Sequence, residues 1–190
     1  MPAGGLQPIG HFAMWMRGDP LPELPPVAGF SAAPVHDPVL VARVMSTNVD
    51  AIEERFRDGH RPWLARIGDE PAAWGWVATR HAAIPELGID VRFPAGDRYL
   101  WDFGTLPAWR GRGIYPALLQ AIIKGEGAER FWIGHDWDNV ASARGIERAG
   151  FQRVGTVYRT DQGVLVLVPC GPAERVTAAS SLFGIPVIAD

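Results

Sequence analysis

The stretch Leu106-Pro-Ala-Trp-Arg-Gly-Arg-Gly-Ile-Tyr-Pro116 joins a predicted strand, Arg98 to Leu106, directly to a predicted helix, Ile114 to Ile123. The glycines in this turn allow the backbone to approach a ligand closely. Free amides at the start of the helix, with Arg110 and Arg112 beside them, suit the binding of a pyrophosphate. The turn lacks the Lys-Ser/Thr pair of a nucleotide-hydrolysing P-loop and the glycine spacing of a dinucleotide fingerprint. Both of those classes are therefore excluded.

A second informative stretch is Asn139-Val-Ala-Ser-Ala-Arg-Gly-Ile-Glu-Arg-Ala-Gly-Phe151. Its pattern predicts a helix that begins at Asn139 and continues to Ala149. The pair Gly150-Phe151 is typical of a left-handed C-cap with its hydrophobic contact. Arg144 and Arg148 stand towards the end of this helix, where positive charge interacts favourably with the helix dipole.

Together the two stretches resemble the GNAT superfamily of acyl-CoA-dependent N-acyltransferases. The segment Arg110-x-x-Gly113-x-Tyr115 is similar to the coenzyme A signature of that family. The family often has, at the expected distance beyond it, an Asn, a small residue three positions later and a terminal Gly-Phe. Asn139, Ser142 and Gly150-Phe151 match that second pattern. The resemblance therefore rests on two motifs in the correct order.

The resemblance implies an α/β fold. Its central sheet would be mixed and mostly antiparallel, with splayed fourth and fifth strands and flanking helices. It further implies an enzyme that transfers an acetyl group from acetyl-CoA to a primary amine by direct attack on the thioester. Coenzyme A would be a co-substrate, and no metal is implied. The motifs cover about Leu100 to Gly155, and the order of predicted elements is consistent with the family from Ala32 to Pro169.

The family's coenzyme contacts can be carried onto the matching positions of this chain. Amides around Thr105 and Leu106 would bind the pantetheine arm, which Asn139 would also face. Amides from Gly111 to Tyr115 would bind the pyrophosphate. The complete expected set is Thr105, Leu106, Arg110, Gly111, Arg112, Gly113, Ile114, Tyr115, Asn139 and Ser142.

The sequence departs from the family pattern at two positions. Tyr115 stands where the signature usually ends in Gly or Ala, so its ring must point away from the phosphates. Ile146 stands where many members have a tyrosine that acts as general acid for the leaving thiolate. Because a thiol has a pKa of about 8.5, a thiolate can leave at neutral pH without strong protonation.

Two residues are candidates for the general base that accepts the proton of the attacking amine. Asp102 interrupts the apolar run of Leu100, Trp101 and Phe103, and burial there would raise its pKa towards a useful value. Two alternatives are that it pairs with an arginine such as Arg98 or lies at the protein surface. His135 follows the predicted fifth strand and is the second candidate.

Composition limits the classes of protein that the chain can belong to. It has 190 residues, one cysteine and a formal net charge of −3, with 21 acidic residues against 18 basic ones. A basic surface for nucleic acid is therefore not expected, and a single cysteine allows no intrachain disulfide. No apolar run approaches the length of a membrane span, and the first ten residues do not resemble a secretion signal. We expect a cytoplasmic protein with neither nucleic acid nor membrane as partner.

The chain is predicted to form a single domain, residues 1–190. Residues 1–30 would be a proline-rich N-terminal arm with a short strand from His11 to Arg17, and residues 172–190 a C-terminal tail. Two further helices are predicted, one from Pro38 to about Ser46 and one that begins after a cap at Asn48 or Asp50. Strands are predicted at 63–68, 73–79 and 131–134, the last of them buried, and a hairpin at 153–160 and 164–168. Residues 81–96 are predicted to form a long connection with a partial strand at 89–93.

The acceptor is not identified by the sequence. We expect a small molecule rather than a protein, and Glu86 and Asp90 in the long connection are hypothesised to form an acidic rim for a cationic substrate. Two other functions stay open: a non-catalytic acyl-CoA-binding regulatory module, and an interaction module that needs no coenzyme. The apolar tail Leu182 to Ile188 would support a homodimer by packing on a second subunit.

Overall fold

A computed structural model describes residues 5–188 and contains one eight-stranded sheet, one separate hairpin and flanking helices. The helices are α1 Pro38–Met45, α2 Val49–Arg57, α3 Ile114–Glu126, α4 Val140–Arg148 and α5 Ala173–Phe183, with one 3-10 turn at Pro107–Trp109. The strands are β1 Leu6–Met16, β2 Phe30–Pro34, β3 His60–Ile67, β4 Glu70–Ala78, β5 His81–Ile84, β6 Ile89–Arg92, β7 Asp97–Thr105, β8 Arg130–Asp136, β9 Gln152–Thr160 and β10 Leu165–Pro169.

The strands of the large sheet lie in the order β10-β9-β1-β8-β7-β4-β3-β2. Every neighbouring pair is antiparallel except β7 and β8, which are parallel and are joined through α3. A parallel pair needs such a crossover connection, which explains why the helix follows the 106–113 turn. The predicted mixed, mostly antiparallel sheet is confirmed.

The parallel strands β7 and β8 separate along their length. Their register runs from Asp97 opposite Arg130 to Leu100 opposite Ile133 and stops there. The last five residues of β7 and the last three of β8 continue without pairing to each other. This gap is the predicted splay between the family's fourth and fifth strands.

The N-terminal segment differs from the predicted arm. Instead of a short strand at 11–17, residues 6–16 form an eleven-residue strand that pairs with β8 on one side and β9 on the other. Phe12 to Trp15 are all buried, and Pro8 and Phe12 each lie next to a register shift with β9. Those irregularities hide the simple alternation by which a strand is recognised in a sequence. Residues 1–4 of the arm lie outside the described part.

The predicted long connection at 81–96 is also more regular than expected. It contains the two strands β5 and β6, paired from His81 with Arg92 to Ile84 with Ile89. The hairpin buries Ala82, Ile84 and Val91 against the domain. The cap of α2 is Asn48, one of the two predicted alternatives, whose side chain accepts from the backbone N–H of Ala51.

The C-terminal segment is not a free tail. Residues 173–183 form α5, and Phe183 and Ile185 are buried in the same cluster as Phe12 and Trp132. The backbone beyond them bonds to Leu167 on β10. The apolar residues that suggested a second subunit therefore pack largely on their own domain. Among residues 5–188, no helix is both long and apolar enough to cross a membrane.

Candidate active site

The β7 strand carries a bulge at the point where it leaves β8. Between Trp76 opposite Trp101 and Trp74 opposite Gly104, β4 advances two residues while β7 advances three. The extra residue is accommodated with Asp102 at φ 48°, a left-handed conformation that is rare for a non-glycine residue. Strained backbone of this kind is concentrated at functional sites.

A cleft of about 850 Å³ lies between the end of β7, the 106–113 turn, α3 and α4. We call it the arginine cleft because the side chains of Arg110, Arg144 and Arg148 line it, whereas no lysine among residues 5–188 does. Gly111 and Gly113 both have positive φ, which turns the chain sharply into α3. No side chain caps this helix.

The backbone N–H groups of residues 111–115 have no acceptor among the described residues. Successive free amides at a helix start attract anions, and the helix dipole adds to that attraction. The arginine cleft therefore suits a phosphate-bearing ligand.

The other wall of the arginine cleft is the start of α4. The Asn139 side chain accepts from the N–H of Ser142 at 3.0 Å and so caps this helix. The Tyr115 ring lies against Gly145, where a Cβ would overlap it, and its hydroxyl is 3.2 Å from the Ser142 hydroxyl. Burial raises the pKa of Tyr115 to about 12, so the phenol is neutral at pH 7.

The structure brings most of the sequence-predicted residues together. Two members of the coenzyme set do not line the arginine cleft. The amide of Leu106 already donates to Ala72 at 2.9 Å, and the side chain of Arg112 lies over the Trp109 ring. The residues of that set that do line it are Thr105, Arg110, Gly111, Gly113, Ile114, Tyr115, Asn139 and Ser142.

Arg144 and Arg148 were interpreted from the sequence only as favourable to the dipole of α4. The two residues are four positions apart on one face of α4, and both line the arginine cleft. That spacing, beside Asn139, is the signal that could have identified them.

A second cavity, of about 470 Å³, lies beyond the gap between β7 and β8. Four of the chain's five histidines line it, and we call it the histidine pocket: His11, His60, His81 and His135. It shares five lining residues with the arginine cleft, namely Trp101, Asp102, Gly134, His135 and Asp136. The gap therefore connects the two cavities.

The predicted burial of Asp102 is not observed. Its side chain is 33% exposed and forms an ion pair with Arg55 at 2.5 Å. The Arg55 guanidinium lies in turn over the rings of Trp76 and Trp101, at 4.9 and 4.6 Å from their centres. Asp102 therefore has an arginine partner, as one of the sequence alternatives predicted, but the partner is Arg55 from α2 and not Arg98.

His135 lies at the junction of the two cavities and is partly buried. Its Nδ1 is 2.8 Å from the carbonyl oxygen of Asp136. A carbonyl oxygen only accepts, so in the neutral ring Nδ1 carries the hydrogen and Nε2 keeps its lone pair. That arrangement leaves Nε2 able to take a proton.

The comparisons with known proteins agree with this geometry. A model of the acetyltransferase (GNAT) family matches residues 35–151, more than half of the chain. The chain belongs to this family. An uncharacterised protein from Mycobacterium leprae is 24% identical over 168 residues, which are 82% of this chain and 44% of that protein.

Solved structures share the GNAT fold at low sequence identity. A GCN5-related N-acetyltransferase from Kribbella flavida superimposes with a TM-score of 0.53 and 19% identity, over 80% of this chain and 57% of that one. An aminoglycoside acetyltransferase in complex with coenzyme A and kanamycin has a TM-score of 0.53 and 16% identity, over 70% and 90% of the two chains. This chain thus spans less than half of the curated relative and little more than half of the Kribbella protein.

The GNAT match begins after β1 and ends before β9, so both strands lie outside it. Yet β1 contributes residues 9–12 to the histidine pocket. At the position where many GNAT members have a tyrosine, Ile146 is 3% exposed and packs in the core. This part of the family pattern is absent from the arginine cleft.

Reversing the charge of Arg144 and Arg148 tests whether these side chains of the arginine cleft contribute to binding of acetyl-CoA. We expect the double variant Arg144→Glu/Arg148→Glu to bind acetyl-CoA roughly 30-fold more weakly in calorimetric titration, about 2 kcal/mol. The control is Arg112→Glu, an exposed arginine whose side chain lies on Trp109 outside the lining. The double variant changes the net charge by four and the control by two, so a free-energy loss about half as large in the control would show that net charge, not contact in the cleft, sets the affinity.

Proposed function

We propose that the protein transfers an acetyl group from acetyl-CoA to a primary amine of a small molecule. The observation that carries this proposal is the gap between β7 and β8, which connects a cleft suited to phosphates with a second, separate pocket. A two-substrate reaction needs such an arrangement, because the two reactants must meet in one geometry. The similar fold of an acetyltransferase that holds coenzyme A supports it.

The free amides of residues 111–115 and the arginines of the cleft would hold the phosphates of coenzyme A. Thr105, Asn139 and Ser142 also line the cleft and would bind the pantetheine arm. When bound, acetyl-CoA supplies a thioester carbonyl that an amine can attack. The amine nitrogen forms a bond to the acetyl carbon as the C–S bond breaks, and the released thiolate takes up a proton.

The amine must lose a proton during this exchange. Both base candidates, Asp102 and His135, line both cavities. The Asp102 carboxylate is already engaged in an ion pair with Arg55, whereas the Nε2 of His135 has no hydrogen-bond partner among the described residues. We therefore assign to His135 the role of accepting the proton from the amine, and to Asp102 a positioning role. The bulge at Asp102 redirects the backbone at the gap, where an amide donor would stabilise a developing oxyanion.

The first test is calorimetric titration of the folded, coenzyme-free protein with acetyl-CoA, followed by a thiol-release assay with primary amines. Saturable binding and amine-dependent thiol release support the proposal. Binding without release from any amine would favour a non-catalytic acyl-CoA-binding module. No binding at all would favour a function that needs no coenzyme.

A further inference from the structure

The histidine pocket carries more negative than positive side chains. Three carboxylates line it that have no ion-pair partner among residues 5–188: Asp58, Glu86 and Asp136. A fourth, Asp102, is already paired with Arg55. No lysine or arginine in the described part of the chain lines this pocket. The arginine cleft on the other side of the gap has three arginines, so the two cavities differ in charge.

No arginine among residues 5–188 forms an ion pair with Asp58, Glu86 or Asp136. Arg153 contacts the Nδ1 of His11 at 3.4 Å, and Arg159 contacts the backbone carbonyl of Glu86 at 3.2 Å. Neither forms an ion pair with a carboxylate of the pocket. Burial is the largest cause that lowers the pKa of His11 and of His60, so both rings are neutral at pH 7. The negative charge of the pocket is therefore left for a ligand.

Buried polar atoms without partners are an independent sign of a ligand. His60 is 7% exposed and donates from Nε2 to the carbonyl of His81 at 2.9 Å. Its Nδ1 is then an acceptor, and it has no partner in the described structure. The Tyr99 hydroxyl also forms no hydrogen bond to a described residue, and Tyr99 lines the pocket, but unlike His60 Nδ1 this atom is not fully buried. Native structures seldom leave such groups unpaired.

The carboxylates differ in which cavities they line, and apolar side chains make up much of the remaining lining. Asp136 lies at the gap, because it lines both cavities. Asp58 and Glu86 line only the histidine pocket and act electrostatically on His60 and Tyr99 respectively. The apolar side chains of the lining include Phe12, Ile84, Leu87 and Val157.

We propose that the acceptor is a dication, in which one amine lies at the gap to be acetylated and an apolar chain connects it to a second cationic group at Asp58 and Glu86. This inference rests on the proposed acetyl transfer and names the class of its acceptor. A lone ammonium group would satisfy only the carboxylates at the gap. An acceptor with a carboxylate at its far end would be repelled there.

The test compares three probes with the same six-carbon chain at saturating acetyl-CoA: 1,6-diaminohexane, hexylamine and 6-aminohexanoate. We expect kcat/KM for the diamine to exceed that for hexylamine by at least about tenfold, with 6-aminohexanoate slowest. Equal kcat/KM values for the three probes would overturn the inference.

Two variants test whether the preference for the diamine arises from the carboxylates of the histidine pocket. Glu86→Gln and Asp58→Asn should each reduce kcat/KM for the diamine more than for hexylamine. The matched control is Asp90→Asn, because Asp90 lies on the same hairpin as Glu86 but does not line the pocket, contrary to the rim predicted from the sequence. A loss of diamine preference in Asp90→Asn equal to that in Glu86→Gln would contradict a specific site.

Failure of the proposed function would be seen separately. If acetyl-CoA binds but no probe causes thiol release, the proposed acetyl transfer is wrong. Calorimetric titration of the coenzyme-loaded protein with the three probes then tests the specificity of the histidine pocket independently of catalysis. Diamine binding that Glu86→Gln weakens would still support a dication site. Equal binding of all three probes would overturn it.

Discussion

Replacement of His135 by Gln should lower kcat by about 100-fold or more, because a positioned general base contributes at least that factor to many enzymes. Gln can keep the hydrogen bond to the carbonyl of Asp136 but cannot accept the proton of the amine. The affinity for acetyl-CoA, measured by calorimetry, should change little. The pH profile of kcat should lose its acidic limb, since that limb reports protonation of the base.

Two further variants make this prediction specific. His36→Gln is the matched control, because His36 is exposed and lines neither cavity. Asp102→Asn decides between the two base candidates. If the acidic limb survives in His135→Gln and disappears in Asp102→Asn, the base is Asp102 and the assignment to His135 is wrong.

Replacement of Asp19 by Ala should destabilise the fold by about 3–5 kcal/mol, the cost of leaving one partner of a buried ion pair without its counter-ion. Asp19 and Arg175 form a two-pronged pair at 2.6 and 2.9 Å, with side chains only 10% and 6% exposed. Arg175 also donates to the carbonyl of Met14. The pair thus ties α5 to the end of β1, and urea unfolding should show the loss.

The control for this prediction is Glu129→Ala. Its ion pair with Arg17 has side chains 58% and 61% exposed, so its removal should cost less than about 1 kcal/mol. A loss of stability in Asp19→Ala no larger than in this control would mean that the buried pair does not hold α5 on the sheet.

Local sequence determined the elements around the gap. The turn before Ile114 contains two glycines at positive φ, and α3 begins where the sequence predicts it. Asn139 caps α4 because its short side chain reaches an amide three residues later. These features depend on residues close in the chain, and the same two motifs identified the GNAT family and its splayed sheet.

The tertiary structure alone decided which distant residues meet. Asp102 and Arg55 are 47 positions apart, and Asp19 and Arg175 are 156 apart. The four histidines of the second pocket come from β1, β3, β5 and β8, and no local pattern links them. Arg112 belongs to the coenzyme set expected from the sequence and Arg144 and Arg148 do not, yet the latter two line the cleft because of how α4 packs. Periodicity specifies the face of an element that is buried, whereas sheet order and strand register determine which faces come together.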